Sequence, residues 1–335
     1  MGIYIQNPGL LTSVQDRGRF GRQKDGVSPS GAMDLHSMRL ANLLIDNDMD
    51  EAVLETTFMG PEILFTEANF FAVTGAPMNL TLNGREVPMY TALYAYAGSV
   101  LQCSAANSGC RSYIAFGGGL AVPETNGSKS TLLRNTIGGW NGRKLQTGDE
   151  IGFAALRSFL ENYDIRYTPQ KVGSSEIELR VIGGPQEERF TEAGLAAFYR
   201  TAYKVSQECD RMGYRLEGET IEHKTDGNII SDGIALGAVQ VPTSGLPIIM
   251  LSERQSMGGY TKIANVISVD LPLIAQSLPG TRVRFRQVTV EEAQKLWLSE
   301  LEELEGIKEE LHRSYQRTFR LHVGGRTYHV GVMEQ

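Results

Sequence analysis

Five glycine-rich polar segments carry the side chains of this chain that could do chemistry. The first runs from Thr12-Ser-Val-Gln-Asp-Arg-Gly-Arg through Ser28-Pro-Ser-Gly-Ala-Met-Asp34, and the second is Gly127-Ser-Lys-Ser-Thr131. The third is Cys209-Asp-Arg-Met-Gly-Tyr-Arg-Leu-Glu-Gly218. The fourth is Ile230-Ser-Asp-Gly233, followed by Gln240-Val-Pro, and the fifth is Glu253-Arg-Gln-Ser-Met-Gly-Gly-Tyr260. Arg17, Arg19, Lys129 and Arg254 can grip a carboxylate or phosphate through charge-assisted hydrogen bonds. Asp16, Asp34 or Asp232 can take a proton or orient an amide N–H. Backbone amides of Gly127–Thr131, or of Gly258 and Gly259, can cradle an oxyanion. Ser13, Gln15, Ser30, Ser128, Ser130, Thr131, Gln255 and Tyr260 add neutral donors and acceptors. Each segment alone reads more readily as a turn than as a site, and Arg211 and Arg215 could simply pair with Glu217 and Glu219 on a solvated face. Together the five predict a site for a small polar ligand, anionic or amide-bearing, without fixing a reaction.

Several other chemistries lack their signatures. Gly127-Ser-Lys-Ser-Thr131 places a serine between Gly127 and Lys129 and has no upstream glycine, so it is not a phosphate-binding loop. Gly117-Gly-Gly119 follows a strand but opens no helix. The five histidines show no ligand spacing with cysteines or acids, which points away from a metal, and no Gly-x-Ser-x-Gly elbow occurs. A net charge of −7 argues against nucleic acid or an anionic membrane as partner. No apolar run is long enough to span a bilayer, and the first residues do not read as a secretory signal. Cys103, Cys110 and Cys209 suit a reducing compartment, so the expected location is the cytoplasm.

The elements that would position these side chains are mostly strands. Phe70-Phe-Ala-Val-Thr, Met78-Asn-Leu-Thr-Leu, Ser112-Tyr-Ile-Ala-Phe, Ile177-Glu-Leu-Arg-Val-Ile, Ile248-Ile-Met-Leu and Arg282-Val-Arg-Phe are short β-rich runs between turn residues. Asn83-Gly84 predicts a hairpin. Helices are expected over Met33–Ile45, with Ser30 as cap, over Glu192–Tyr199, and after Thr289, where Trp297, Leu301, Leu304 and Leu311 repeat at helical spacing.

Three pairs of marks recur in the same order: Asp16-Arg-Gly-Arg-Phe-Gly with Asp210-Arg-Met-Gly-Tyr, Gly138-Gly-Trp with Gly258-Gly-Tyr, and Gly148–Phe153 with Gly280–Phe285. They predict a duplication, joined by the charged stretch Arg157–Ser175. The expected fold is mainly β: two barrels in tandem, residues 1–160 and 176–290, then a C-terminal helix and hairpin over 291–335. Closing each sheet removes its edges, and a cleft between barrels is a common ligand site.

The five segments, in this order, resemble the KipA family, also described as allophanate hydrolase subunit 2, as biotin-dependent carboxyltransferase, or as the PxpC component of 5-oxoprolinase. The resemblance runs from about Asn7 to Ala293. It implies a pair of cyclophilin-like β-barrels and a subunit rather than a solitary enzyme. It further implies a KipI-like partner (PxpB) and a PxpA-like subunit, with which 5-oxoproline is opened to glutamate using ATP. The alternatives are a carboxyltransferase using biotin held on a carrier protein, and a KipI-binding antagonist without catalysis. In the first reading Asp16, Asp34 and Arg254 are the expected catalytic residues. Ser13, Gln15, Arg17, Ser30, Ser128, Ser130, Thr131, Asp232, Gln255, Gly258, Gly259 and Tyr260 are expected to bind substrate. Arg22, Lys129, Leu246, Ser256 and Thr261 depart from the family pattern, and Lys129 loses the planar fork of an arginine.

Phe319-Arg-Leu-His-Val-Gly-Gly-Arg-Thr-Tyr-His-Val-Gly-Val332 reads as a hairpin turning at Gly324-Gly325. It resembles the opening strands of biotin carrier domains, although no Ala-Met-Lys-Met follows. It is expected to dock on its own barrel, or to be a carrier vestige or partner-binding strand pair.

Overall fold

The computed structural model describes residues 2–163, 166–168, 175–313, 316–324 and 326–333. Its first half holds β1 (Gly2–Asn7), β2 (Leu11–Gln15), α1 (Leu35–Leu44), β3 (Val53–Thr57), β4 (Glu62–Phe65), β5 (Asn69–Gly75) and β6 (Met78–Leu82). It continues with β7 (Arg85–Val87), β8 (Leu93–Ala95), β9 (Val100–Ala106), β10 (Arg111–Phe116) and β11 (Glu150–Gly152). Two sheets, in the orders β11-β1-β4-β9-β6-β7 and β2-β3-β10-β5-β8, enclose one core that includes Ile3, Val14, Leu54, Phe65, Phe71, Ile114 and Phe116. β5 and β10 are buried throughout because both faces are covered: Phe71 and Val73 enter that core, while Phe70 and Ala72 join the layer under α1. Asn83 and Gly84, at φ 54° and 75°, turn β6 into β7 as the dipeptide predicts.

The second half comprises β12 (Glu176–Gly183), α2 (Glu192–Arg200), β13 (Tyr203–Cys209), β14 (Gly213–Glu217), β15 (Asn228–Gly233) and β16 (Ala238–Val241). β17 (Ile248–Met250), β18 (Met257–Val266), α3 (Leu271–Ala275) and β19 (Arg282–Gln287) complete it. Its ladder runs β12-β19-β13-β14-β17-β16-β18, and β18 pairs back onto β12, so the ring closes. β15 extends from β18 as a ribbon. Alternation sorts the faces: Val239, Val241, Ile249, Tyr214 and Leu216 fill the barrel. Ala238, Ile248 and Met250 point the other way, into a small apolar cluster with Ile234 and Met212. α4 (Val290–Leu311) and a separate two-stranded sheet of β20 (Gln316–Val323) and β21 (Arg326–Met333) follow.

Several expectations need correction. Asp34, not Ser30, caps α1, its carboxylate accepting from the Ser37 N–H at 2.9 Å. Thr289 caps α4 as expected, but only the C-terminal part of the helix stripe is buried: Leu304 and Leu311 pack with α1, whereas Trp297 is exposed. The stretch read as a charged connection is partly interior. Arg166 is buried and donates to the carbonyls of Leu43, Leu44 and Leu311 at 2.7–3.1 Å, closing the ends of two helices. Of the duplication marks, β11 and β19 both lie beside the first strand of their own half, antiparallel in one and parallel in the other. Gly138-Gly-Trp lies in a loop and Gly258-Gly-Tyr in β18, so that pair does not correspond.

Candidate functional site

The seam between the halves is built from buried charge. Glu55 on β3 pairs with Arg211, whose Nε donates to Glu253 at 2.7 Å and whose Nη2 donates to the Gly31 carbonyl at 2.7 Å. Tyr113 donates to Glu55 at 2.9 Å and accepts from the Asp34 N–H at 2.8 Å. Arg111 crosses to the Tyr214 hydroxyl and the Ala275 carbonyl. Burial pulls the Arg211 guanidinium down, but Glu55 and Glu253 outweigh it and the net shift is upward. Arg211 is therefore an interior clamp rather than half of a solvated pair with Glu217. Arg215 is exposed and pairs with Glu208. Sequence reading missed Glu55 and Arg111, because both lie in strand-like runs with no local signature.

Asp16 anchors the first segment. Its carboxylate accepts from the N–H of Gly18 (2.7 Å), the Ser128 hydroxyl (2.7 Å), the Ser130 hydroxyl and the N–H of Lys129 (2.6 Å). The loop at 127–131 thus does cradle an anion, and that anion is Asp16. The excursion from Gly18 to Gly31 closes on itself at a neck that only glycine permits: at φ 100° and 96°, a Cβ on either would sit 2.7–2.8 Å from backbone of the other strand of the loop. Ser13, Gln15, Ser30 and Thr131 form one buried chain. Gln15 Nε2 donates to Ser13 Oγ (2.9 Å) and the Thr131 carbonyl (3.1 Å), and Ser30 Oγ donates to that same carbonyl (2.6 Å).

Arg17 is exposed and lies 3.7 Å from Asp50, so the buried arginine of this segment is Arg19. Burial lowers the Arg19 guanidinium, with Asp16 and Glu253 opposing, and its Nη1 is buried without a hydrogen-bond partner among the described residues. Asp34 is saturated by Ser37 and by Gln276 Nε2 at 2.9 Å, which ties α1 to α3. Lys129, the departure from arginine, binds Glu51 at 2.6 Å.

The segment carrying Arg254 meets this loop directly. Ser28 Oγ donates to the Arg254 carbonyl at 2.6 Å, and the Ser30 N–H to the Ser252 carbonyl at 3.0 Å. Asp16 and Arg254 thus share a seam, while their charged groups face different partners. Arg254 Nε donates to the Ile234 carbonyl (3.0 Å), and no carboxylate among the described residues offsets its burial. Burial lowers it to about 10, so it stays charged near neutrality. Asp232 lies outside, binding Lys262 Nζ at 2.6 Å across the β15–β18 ribbon; Gly258, Gly259 and Tyr260 are in that ribbon. Thr261, where the family pattern has proline, uses an N–H that proline lacks, donating to the Gly227 carbonyl at 3.0 Å.

Two clefts flank the Cys209–Met212 turn. One, about 650 Å³, lies between the halves and is lined by Leu11, Phe58, Arg111, Arg134, Arg211 and Glu253 among others. The second, about 590 Å³, opens on the outer face of the second barrel, with Met212, Ile248 and Met250 as its floor and Gln240, Gln255, Arg215 and Tyr260 around it. An apolar floor with few polar groups is the usual make-up of a small-molecule site. The sequence-predicted residues therefore divide: Gln255 and Tyr260 line the second cleft, and the first-barrel set builds the seam beside it.

A family model described as the carboxyltransferase domain, subdomain A and B, matches residues 25–287. The C component of the Escherichia coli 5-oxoprolinase is 36% identical over 293 residues, covering 88% of this chain and 93% of that protein. The urea amidolyase of Saccharomyces cerevisiae is 32% identical over 330 residues, covering 91% of this chain but 18% of that much longer protein. The crystal structure of the Kluyveromyces lactis urea carboxylase matches with a TM-score of 0.84 at 29% identity, over 94% of this chain and 30% of that one. With a closed second barrel, a glycine-necked loop locked onto it and matches that span both halves, the chain belongs to the family of carboxyltransferase domains with subdomains A and B.

Proposed function

We propose that this chain is a cytoplasmic subunit of an ATP-dependent 5-oxoprolinase, opening 5-oxo-L-proline to L-glutamate together with a KipI-like (PxpB) and a PxpA-like subunit. The observation that carries this reading is the end-to-end match with the C component of a 5-oxoprolinase, which covers most of both chains. A lactam is a poor electrophile and needs an activated intermediate kept from water. The second cleft is of a size and polarity to bind such a ring, and the seam cleft beside it would be closed by a partner. In this reading Arg254 supplies the positive field for an anionic group, Gln255 and Tyr260 contact the ligand, and Asp16 and Asp34 position the loops. In the Gly127–Thr131 loop the Lys129 N–H goes to Asp16, the Ser130 N–H to Ser128 Oγ and the Thr131 N–H to the Val14 carbonyl, so these amides are not free for a nucleotide phosphate, and the reading assigns ATP to a partner. Reconstitution tests it: purified with both subunits, the complex should release glutamate from 5-oxoproline only when ATP is present. Absence of glutamate from an assembled complex overturns it.

The second reading is a carboxyltransferase, favoured by the match to urea carboxylase across both halves. The apolar floor and polar wall of the second cleft also fit the flat ureido ring of a biotin carried by another chain. Bound there, biotin would supply the carboxyl group, and this chain would orient the acceptor amide. Product formation that requires bicarbonate and a biotinylated carrier identifies this case. Tight partner binding with no turnover of any lactam or amide identifies an antagonist instead.

A further inference from the structure

Gln240 and Gln255 stand out in the second cleft because each keeps a buried polar atom without a partner. Gln240 is 1% exposed, yet its Nε2 makes no hydrogen bond among the described residues; neither does Gln255 Oε1. Buried amide groups are rarely left unpaired, since desolvation without a bond costs about 1–3 kcal/mol. The two side chains come from different elements, β16 and the turn before β18, and both border the cleft. They converge on Gly258. A Cβ there would lie 2.9 Å from Gln240 Nε2, 3.5 Å from Gln255 Nε2 and 2.7 Å from Ile234 Cδ1. The backbone at Gly258 does not have a positive φ, so glycine is required for space rather than for conformation. Each amide can turn by half a rotation about its last bond, so the pair offers one donor and one acceptor in either arrangement.

We infer that Gln240 and Gln255 together read a cis amide edge, donating to its carbonyl and accepting from its N–H, with Gly258 leaving the room in which both side chains pack. Five-membered lactams and the ureido ring of biotin both present this edge. A lactam acid could also compete with Glu208 for Arg215, both of which line the same cleft. The lactam source rests on the oxoprolinase reading; the pairing itself does not.

The probes are 2-pyrrolidinone, a lactam without a carboxylate, and biotin methyl ester, each titrated onto the full-length chain by saturation-transfer NMR. Binding of 2-pyrrolidinone that Gln240→Leu and Gln255→Leu each weaken at least tenfold supports the pair with a lactam as ligand. Equivalent behaviour of the biotin ester alone supports it with a ureido ring. The shape-keeping double variant Gln240→Glu/Gln255→Glu leaves two acceptors and no donor for the ligand carbonyl and should lose the same probe, while thermal midpoints report that the variants fold. Gly258→Ala should weaken binding by displacing the Gln240 amide, 2.9 Å from the added methyl. Binding of neither probe, or binding unchanged in folded variants, overturns the inference. In the reconstituted complex the variants should raise the lactam KM at least tenfold with kcat less affected. Turnover with an unmoved KM sinks the pair but not the oxoprolinase reading, and probe binding without turnover does the reverse.

Discussion

At the scale of single residues, Asp16 illustrates how composition points to a site without assigning its parts. Four donors converge on its carboxylate, and hydrogen bonds to a charged group are worth roughly 1.5–3 kcal/mol each. Asp16→Ala should therefore lower stability by about 3 kcal/mol in urea unfolding and loosen the loop at 127–131. An Asp16→Asn variant that folds like the wild type yet loses all turnover would reassign this residue to the chemistry. The sequence made the polar clustering around Asp16 legible, because glycine, serine and charge of both signs are not what a core requires. It pointed to Arg17 rather than Arg19 as the ligand contact. The two are separated by one residue, and only the direction of the chain leaving the Gly18–Gly31 neck buries one and exposes the other. Gln240 was visible only as part of a turn-like segment; what marks it is an unpaired atom, which no pattern of residue types displays.

At the scale of elements, strands and helix starts were legible where local chemistry decides them. The runs at 70–74, 78–82 and 112–116 fall within β5, β6 and β10, and Thr289 begins α4. The cap of α1 was misplaced because Ser30 and Asp34 are both good caps, and Ser30 is held instead at φ 56° in the neck. Asp34→Ala should cost about 1–2 kcal/mol for the lost cap, read as a fall in the denaturation midpoint, with a further loss from releasing Gln276. The turn into β11 gives a pH test. Burial pushes the Asp149 carboxyl up, but the Arg143 fork at 2.7 and 2.8 Å and the Gln146 N–H outweigh it, and the net shift is downward. A lowered carboxylate stabilises the fold above its ordinary titration range and loses that effect as pH falls through the lowered value. Stability measured from about pH 6 down to about pH 2 should decline through that window, and Asp149→Asn should flatten part of the slope. An unchanged acid limb would show the fork contributes nothing.

At the scale of the whole molecule, two halves are held by a buried ionic seam. Removing one member of such a cluster strands its partners: Arg211→Ala leaves Glu253 without its cation and Glu55 with only Arg111, 4.0 Å away, and should destabilise by about 3–5 kcal/mol. Calorimetry should then show the single transition splitting in two, whereas an unaltered single peak would mean apolar contacts alone couple the halves. A tandem arrangement was legible from recurring marks, but the seam was not, since Glu55 and Arg211 are 156 positions apart and only the tertiary fold makes them neighbours. The parallel pairing of β12 with β19 carries a temporal consequence. On the ribosome the opening strand of the second half waits for more than a hundred further residues before this parallel neighbour emerges, and distant pairings of this kind are slow to form. The first half, whose last strand ends at Gly152, must meanwhile keep Glu55 and Arg111 wetted by solvent, so the nascent polypeptide passes through a stage in which a folded pair of sheets displays an unsealed ionic wound.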